Sequence, residues 1–326
     1  MLFRSLYTEP ASCLWFLFLL AESIDLCGSR QISMGHVLCW NVFAVLWIMA
    51  KTQNAALCIP LAVYDLRLVW RTCPSARGAR SLALGGAVAI CVAGGVMYRS
   101  LLPAPRVSVL YDVVFFGVLP EGEDARSDLQ ALGLDPNYAR YSGTLPWSPG
   151  SGVADGALVN AIQTNVSSFS LMEFYLRRPA RLWRHLQTRL PTAFSLRPEF
   201  CGNFDRSAGR PKGARSNAIA LWSRFHEHCL SPIALLLLSA LVLFPAGGIV
   251  FVLRHDSTAS DRRWVELGIL LAACGSTAFF VSAFGDAYDN VKHQFLFNLL
   301  LDTCLVFGFV AALHGWRRAG LDEEHR

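Results

Sequence analysis

The chain has 326 residues, 53% of them hydrophobic and 16% charged, with a mean hydropathy of +0.38. A water-soluble domain would carry roughly a quarter charged residues, so the composition excludes an ordinary soluble globule and points to lipid. The formal net charge is +5, but Arg residues sit in short runs beside apolar segments and form no single basic face, which excludes nucleic acid as a partner.

From the N-terminus, Met1 to Leu26 combines Arg4 with the apolar run Leu14 to Leu20, as a secretory signal would. Glu22 and Asp25 stand where a small-residue cleavage site should lie, so a retained helix is expected. Ser12 to Leu26, Gly35 to Ala50 and Ala55 to Leu66 are short apolar stretches, and the polar quartet Lys51, Thr52, Gln53, Asn54 interrupts the last two. Gly35 to Leu66 is therefore either one broken helix or two segments around a polar turn, and such a break at membrane depth should face the protein interior. Leu82 to Leu102, Ile233 to Leu253, Val265 to Phe284 and Leu296 to Leu313 each approach the ~20 residues that span a bilayer core. The expected architecture is mainly α: a polytopic helical membrane protein of about six spans with one extracytoplasmic α or α+β domain. The boundaries are residues 1–104 for the N-terminal spans, 105–230 for the extracytoplasmic (periplasmic) domain, 231–316 for the C-terminal spans and 317–326 for a cytoplasmic tail. Gly85, Gly86, Gly94 and Gly95 lie at the small-residue spacing of close helix packing.

Orientation follows from positive charge. Arg67, Arg71, Arg77 and Arg80 form one cluster, Arg254, Arg262 and Arg263 a second, and Arg317 and Arg318 a third; all three are expected in the cytoplasm. The domain and the loop Gly285 to His293 then share the opposite side.

Within the domain, Val107 to Val118 (VSVLYDVVFFGV) is rich in β-branched and aromatic residues and reads as a strand or an extended segment. Asp124 to Leu132 reads as a short helix stopped by Gly133, Asp135 and Pro136. Tyr141 to Gly156 is a Gly- and Pro-rich loop. Phe169 to Leu190, capped by Ser167 or Ser168 and interrupted by Pro179, fits two helices or one kinked helix. Asn217 to Cys229 reads as a helix with an apolar face of Ile219, Trp222 and Phe225. Between them Phe194 to Ser216 gathers Arg197, Arg206, Arg210, Lys212 and Arg215 among glycines and prolines. It suits either a phosphate or a solvated position near anionic headgroups.

Ten cysteines include no CxxC or Cys/His cluster at ligand spacing. Cys13, Cys39, Cys58, Cys91, Cys274 and Cys304 lie in apolar runs as small hydrophobes. Cys201 and Cys229 fall in the domain, where an oxidising compartment permits a disulfide or two free thiols. In the last span Asp302, one turn from Asn298, is either an intramembrane functional group or half of a structural pair with Lys51 or Asn298. In Gly285 to His293 (GDAYDNVKH), Asp286 and Asp289 suit a divalent ion, the uptake of a proton from a sugar hydroxyl, or plain solvation. Lys292 and His293 suit a headgroup-level phosphate or helix anchoring.

The segments Tyr111 to Pro136, Phe174 to Trp183, Leu196 to Ser216 and Gly285 to Asp302 together resemble a group of bacterial membrane proteins, the WsfD-like glycan-biosynthesis hexose transferases, over about Tyr111 to Asp302. The resemblance implies a multi-span glycosyltransferase of the bacterial inner membrane that takes a hexose from a polyprenyl-phosphate sugar. Its partners would be membrane lipid and the lipid-linked sugar. Substrate contact is carried onto Gly285, Asp286, Lys292, His293, Arg197, Asn203 and Gly202; no catalytic residue is assigned. Such enzymes place a catalytic carboxylate in a large first extracytoplasmic loop. This chain shows no such acidic loop, so it corresponds to the latter part of a longer protein, needs a membrane partner that supplies the missing spans and base, or is a non-catalytic subunit or remnant that binds a glycan or protein.

Overall fold

The computed structural model describes residues 8–29, 32–72, 77–100, 103–197, 204–211, 213–218, 220–254 and 258–324. Among them the structure is helical, with no strand. The helices are α1 (Thr8–Gly28), α2 (Met34–Ala50), α3 (Cys58–Thr72), α4 (Arg77–Arg99) and α5 (Pro103–Tyr111). They continue as α6 (Ala125–Ala131), α7 (Gly156–Asn165), α8 (Ser168–Leu176), α9 (Pro179–Ala193) and α10 (Leu221–Phe225). The last four are α11 (Ala234–Arg254), α12 (Ala259–Gly285), α13 (Asn290–His293) and α14 (Phe295–Glu324). Residues 1–100, 238–278 and 296–326 form one unit, and residues 101–237 and 279–295 a second.

Among the described residues, five helical stretches are long and apolar enough to cross a membrane: Glu9–Gly28, Arg77–Arg99, Leu221–Leu253, Ser260–Gly285 and Phe295–Leu313, with Met34–Ala50 a shorter apolar helix. In the first unit α4 shows why. Leu84, Val88, Val92 and Val96 recur every fourth residue and are all exposed, while Ala79, Ala83, Gly86, Ala87, Ile90, Ala93 and Gly94 are buried. Large residues outside and small ones inside is the arrangement of a helix whose outer solvent is lipid. Of the four glycines, Gly86 and Gly94 do the close packing: a Cβ on Gly86 would lie 1.9 Å from Asn41 Oδ1, and one on Gly94 2.8 Å from Cys58 Sγ. Gly85 and Gly95 meet nothing within 4 Å.

The break after α2 is the polar-turn alternative. Lys51 is extended, residues Thr52–Leu57 form a short 3-10 turn, and α3 then begins. The quartet does face inward: buried Asn54 donates to Ser12 Oγ (2.9 Å) and to the Trp47 carbonyl (2.6 Å). Lys51 reaches Glu9 Oε1 at 2.8 Å, an ion pair with α1. Arg67 and buried Glu266, 3.2 Å apart, join the end of α3 to the start of α12.

In the second unit the expected strand Val107 to Val118 is helical. α5 runs into a π-helical turn over Asp112–Val118. Val107, Leu110, Tyr111, Val114, Phe115 and Val118 are buried at a helical spacing of three and four, and Asp112, Val113 and Gly117 are buried beside them; burial of the segment as a helix overrides the β-propensity of single residues. Leu110, Tyr111, Val114, Phe115 and Val118 join Leu129, Leu158, Ile162 and Phe174 in one core. α6 starts at its Asp124 cap and ends before Gly133, whose φ of +72° is left-handed. Ser167 and Ser170 form a capping box on α8, and Pro179 opens α9 at its first turn, so the expected helical stretch is two helices. Of the expected helix Asn217 to Cys229, only Leu221–Phe225 is α-helical, followed by a π-turn. Ile219 lies outside the described residues, and Trp222 and Phe225 stack on each other while exposed. Cys229 is exposed, and its expected partner Cys201 lies outside the described residues.

Candidate functional site

In the second unit the segment Gly285 to His293 packs on the start of the π-turn. Asp112 is the one charged residue in the apolar run Val107 to Val118, and it is buried. Its Oδ2 accepts from the backbone N–H of Ala287 (2.8 Å) and of Tyr288 (3.2 Å). Gly117 allows the approach, since a Cβ there would lie 3.0 Å from Ala287 Cβ. Burial pushes the Asp112 carboxyl up to about 6, with the nearby Asp286 charge adding to the rise and the two N–H groups opposing it. Its Oδ1 is buried with no hydrogen-bond partner, which is why the charged form is disfavoured.

Asp286 has the opposite balance. Burial raises its pKa, but His293 Nε2 at 3.1 Å, the Asp289 N–H at 2.6 Å and the Arg189 charge outweigh burial and hold it below the usual range. Asp289 is raised by burial and by Asp286, against the pull of Lys292, whose Nζ lies 3.8 Å from Oδ2. Asp289 Oδ1 has no hydrogen-bond partner.

Beneath this segment α9 supplies an ionic layer. His185 donates through Nε2 to the Ala283 carbonyl (2.9 Å), and its Nδ1 lies 2.8 Å from Glu121 Oε2. Arg189 donates to the Ala287 carbonyl at 2.7 Å and stands 3.6 Å from Glu121 Oε1. Burial works to raise Glu121, but the His185 hydrogen bond and charge with Arg189 and Arg181 bring it below its ordinary value. Asn290 reaches Thr192 Oγ1 at 3.2 Å, so the loop is held from both the π-turn and α9. Tyr288, exposed, presents its ring edge-on to Phe116 (5.8 Å) and to Trp147 (5.3 Å).

Of the residues expected at the site, the structure therefore brings together Asp286, Lys292 and His293. Arg197 is engaged elsewhere: it donates to the Ser216 carbonyl at 2.7 Å while Arg215 donates to the Arg197 carbonyl at 2.6 Å, tying the basic loop to itself. Asn203 and Gly202 lie outside the described residues, as does Lys212. Asp112, Glu121, His185, Arg189 and Tyr288 were not expected. The signal for Asp112 was a lone carboxylate in an apolar run; for the α9 residues, whose partners lie about 60 to 100 positions away, there was none. Among the described residues no group of three or more His, Cys, Asp or Glu is placed to hold a metal ion. The loop carboxylates Asp286 and Asp289 are paired with His293 and Lys292. A separate cleft of about 790 Å3, lined by Gly133, Asn165, Ser170, Glu173, Phe174 and Arg178 among others, contains none of the expected site residues.

No curated protein and no solved structure matches the chain. A family model described as the YfdI N-terminal transmembrane domain matches residues 1–323. With its membrane-length helices, the chain is a multi-pass membrane protein and belongs to the YfdI N-terminal transmembrane domain family.

Proposed function

We propose that the chain is a glycosyltransferase-like protein of surface-glycan assembly in the bacterial cytoplasmic membrane, with its second unit periplasmic, that transfers a hexose from a polyprenyl-phosphate donor. The observation that carries this reading is the loop Gly285 to His293: carboxylates with opposed proton affinities stand beside Lys292 and His293 immediately before the last span. Environments that push carboxylates apart are how one site keeps an acid and a base. Asp289, raised by burial, takes the proton from the acceptor hydroxyl as the hydroxyl oxygen bonds to the sugar carbon. The phosphate–sugar bond breaks on the opposite face, which inverts the centre, and Lys292 and His293 meet the charge left on the polyprenyl phosphate. Asp286, held ionised by His293, fixes the loop. Arg197 and Asn203 remain proposed contacts on resemblance alone.

A second reading, a non-catalytic subunit whose second unit binds a glycan or protein partner, draws support from how fully Asp286 is engaged by His293 and Asp289. Mass spectrometry of surface glycans from a deletion strain separates the two. We expect loss of one hexose, not restored by Asp289→Asn or Lys292→Ala. A glycan unchanged by deletion overturns both; loss that either variant restores in full leaves the subunit reading.

A further inference from the structure

Trp147 is 65% exposed, yet its loop is tightly held. Gly143 donates to the Phe115 carbonyl at 2.7 Å, the Tyr111 and Thr144 hydroxyls are 2.6 Å apart, and Gly152 N–H donates to Tyr111 Oη at 2.8 Å. Leu145 N–H reaches Ser148 Oγ (3.2 Å), and Ser151 Oγ reaches the Pro146 carbonyl (3.0 Å). Folding thus orders a loop that leaves its largest apolar side chain in the open. That ring stands at 78° to the Tyr288 ring; Tyr288 is 44% exposed and its own N–H is fixed by Asp112. Tyr288 lies between Asp286 and Asp289, so aromatic faces and hydroxyl acceptors occupy one loop.

We propose that Trp147 and Tyr288 form a subsite for a hexose ring, whose C–H face lies on the indole while its hydroxyls donate to Asp289. A rigid aromatic with few rotamers offers large contact area at low entropy cost, and a carboxylate beside it supplies the direction that apolar contact lacks. Trp and Tyr also serve as interfacial anchors beside anionic headgroups, and quenching by brominated lipid separates that role from sugar binding. The proposal rests on the glycosyl-transfer reading for its sugar but not for its test, which reads binding alone.

The full chain in phosphatidylcholine nanodiscs is titrated with glucose, galactose and mannose, and saturation transfer from protein to sugar protons is measured by NMR. At least one hexose should receive saturation; Trp147→Ala and Tyr288→Ala should weaken its binding at least about tenfold, Trp147→Phe much less. Trp222→Ala, which removes an exposed indole elsewhere in the same unit, should leave it unchanged. No saturation of any hexose by the wild type, or equal binding by Trp147→Ala, overturns the subsite. Quenching of Trp147 fluorescence by brominated lipid also overturns it, in favour of a membrane anchor. Hexose binding in a strain whose glycan is unaffected by deletion keeps the subsite and removes transfer; a glycan that needs the chain but not Trp147 does the reverse.

Discussion

Asp112 ties the loop Gly285 to His293 to the stability of the fold. Its side chain has two backbone donors on one oxygen and none on the other. Replacing it with Ala leaves the Ala287 and Tyr288 N–H groups without their acceptor, a loss of about 1–3 kcal/mol for a buried group. Amide exchange at those two positions should rise accordingly, and unchanged exchange would show that the loop is held from α9 alone. The pH dependence has a defined sign. A carboxyl raised from 3.8 to about 6 by folding stabilises the folded state in acid, and that contribution is lost as pH rises through about 6. Asp112→Asn keeps an oxygen for the two N–H groups and cannot ionise. Its melting temperature at pH 7.5 should equal or exceed that of the wild type, and the part of the pH dependence between about 4 and about 6 that belongs to this group should vanish. A wild-type profile retained by the variant would assign that dependence elsewhere. Asp286 and Glu121, lowered by His293 and His185, act oppositely, since their contribution is present above their unfolded values and lost in acid.

At the scale of elements, the two kinds of glycine in α4 make a controlled comparison. Gly86→Ala drives a methyl into Asn41, a buried residue held by the Val37 carbonyl and by Asp65, so the neighbour cannot swing away. Overpacking of this kind costs about 1–3 kcal/mol. Gly85→Ala meets nothing within 4 Å and gains helix propensity. Thermal melts in detergent should show the first variant lowered and the second level or raised; equal melts would mean that α4 does not pack as described. The same scale explains what was legible. Caps and breakers such as Asp124, Gly133, Ser167 and Pro179 act within one turn, so the ends of α6, α8 and α9 could be read locally. Val107 to Val118 could not, because its Val and Phe content and its helical spacing gave opposite answers, and only the core formed with α6, α7 and α8 decided between them.

For the whole molecule, the ion pair Arg67–Glu266 places the end of α3 and the start of α12 together, in line with two Arg clusters on one side of the bilayer. Alkaline phosphatase fused after Gly150 should be active and fused after Arg262 inactive; an inactive fusion after Gly150 would place the second unit in the cytoplasm and remove a periplasmic reaction. The sequence by itself determined the membrane character and the helical class, because hydropathy and helix length are additive along the chain. It did not determine what holds the loop Gly285 to His293. Asp112 lies about 175 positions from Ala287, and His185 about 98 from Ala283. Contacts at such separations leave no period or spacing in the sequence, and the shift of each carboxyl depends on the burial and neighbours those contacts create. Only the tertiary structure decided which carboxylate is raised, which is lowered, and which aromatic rings stand beside them.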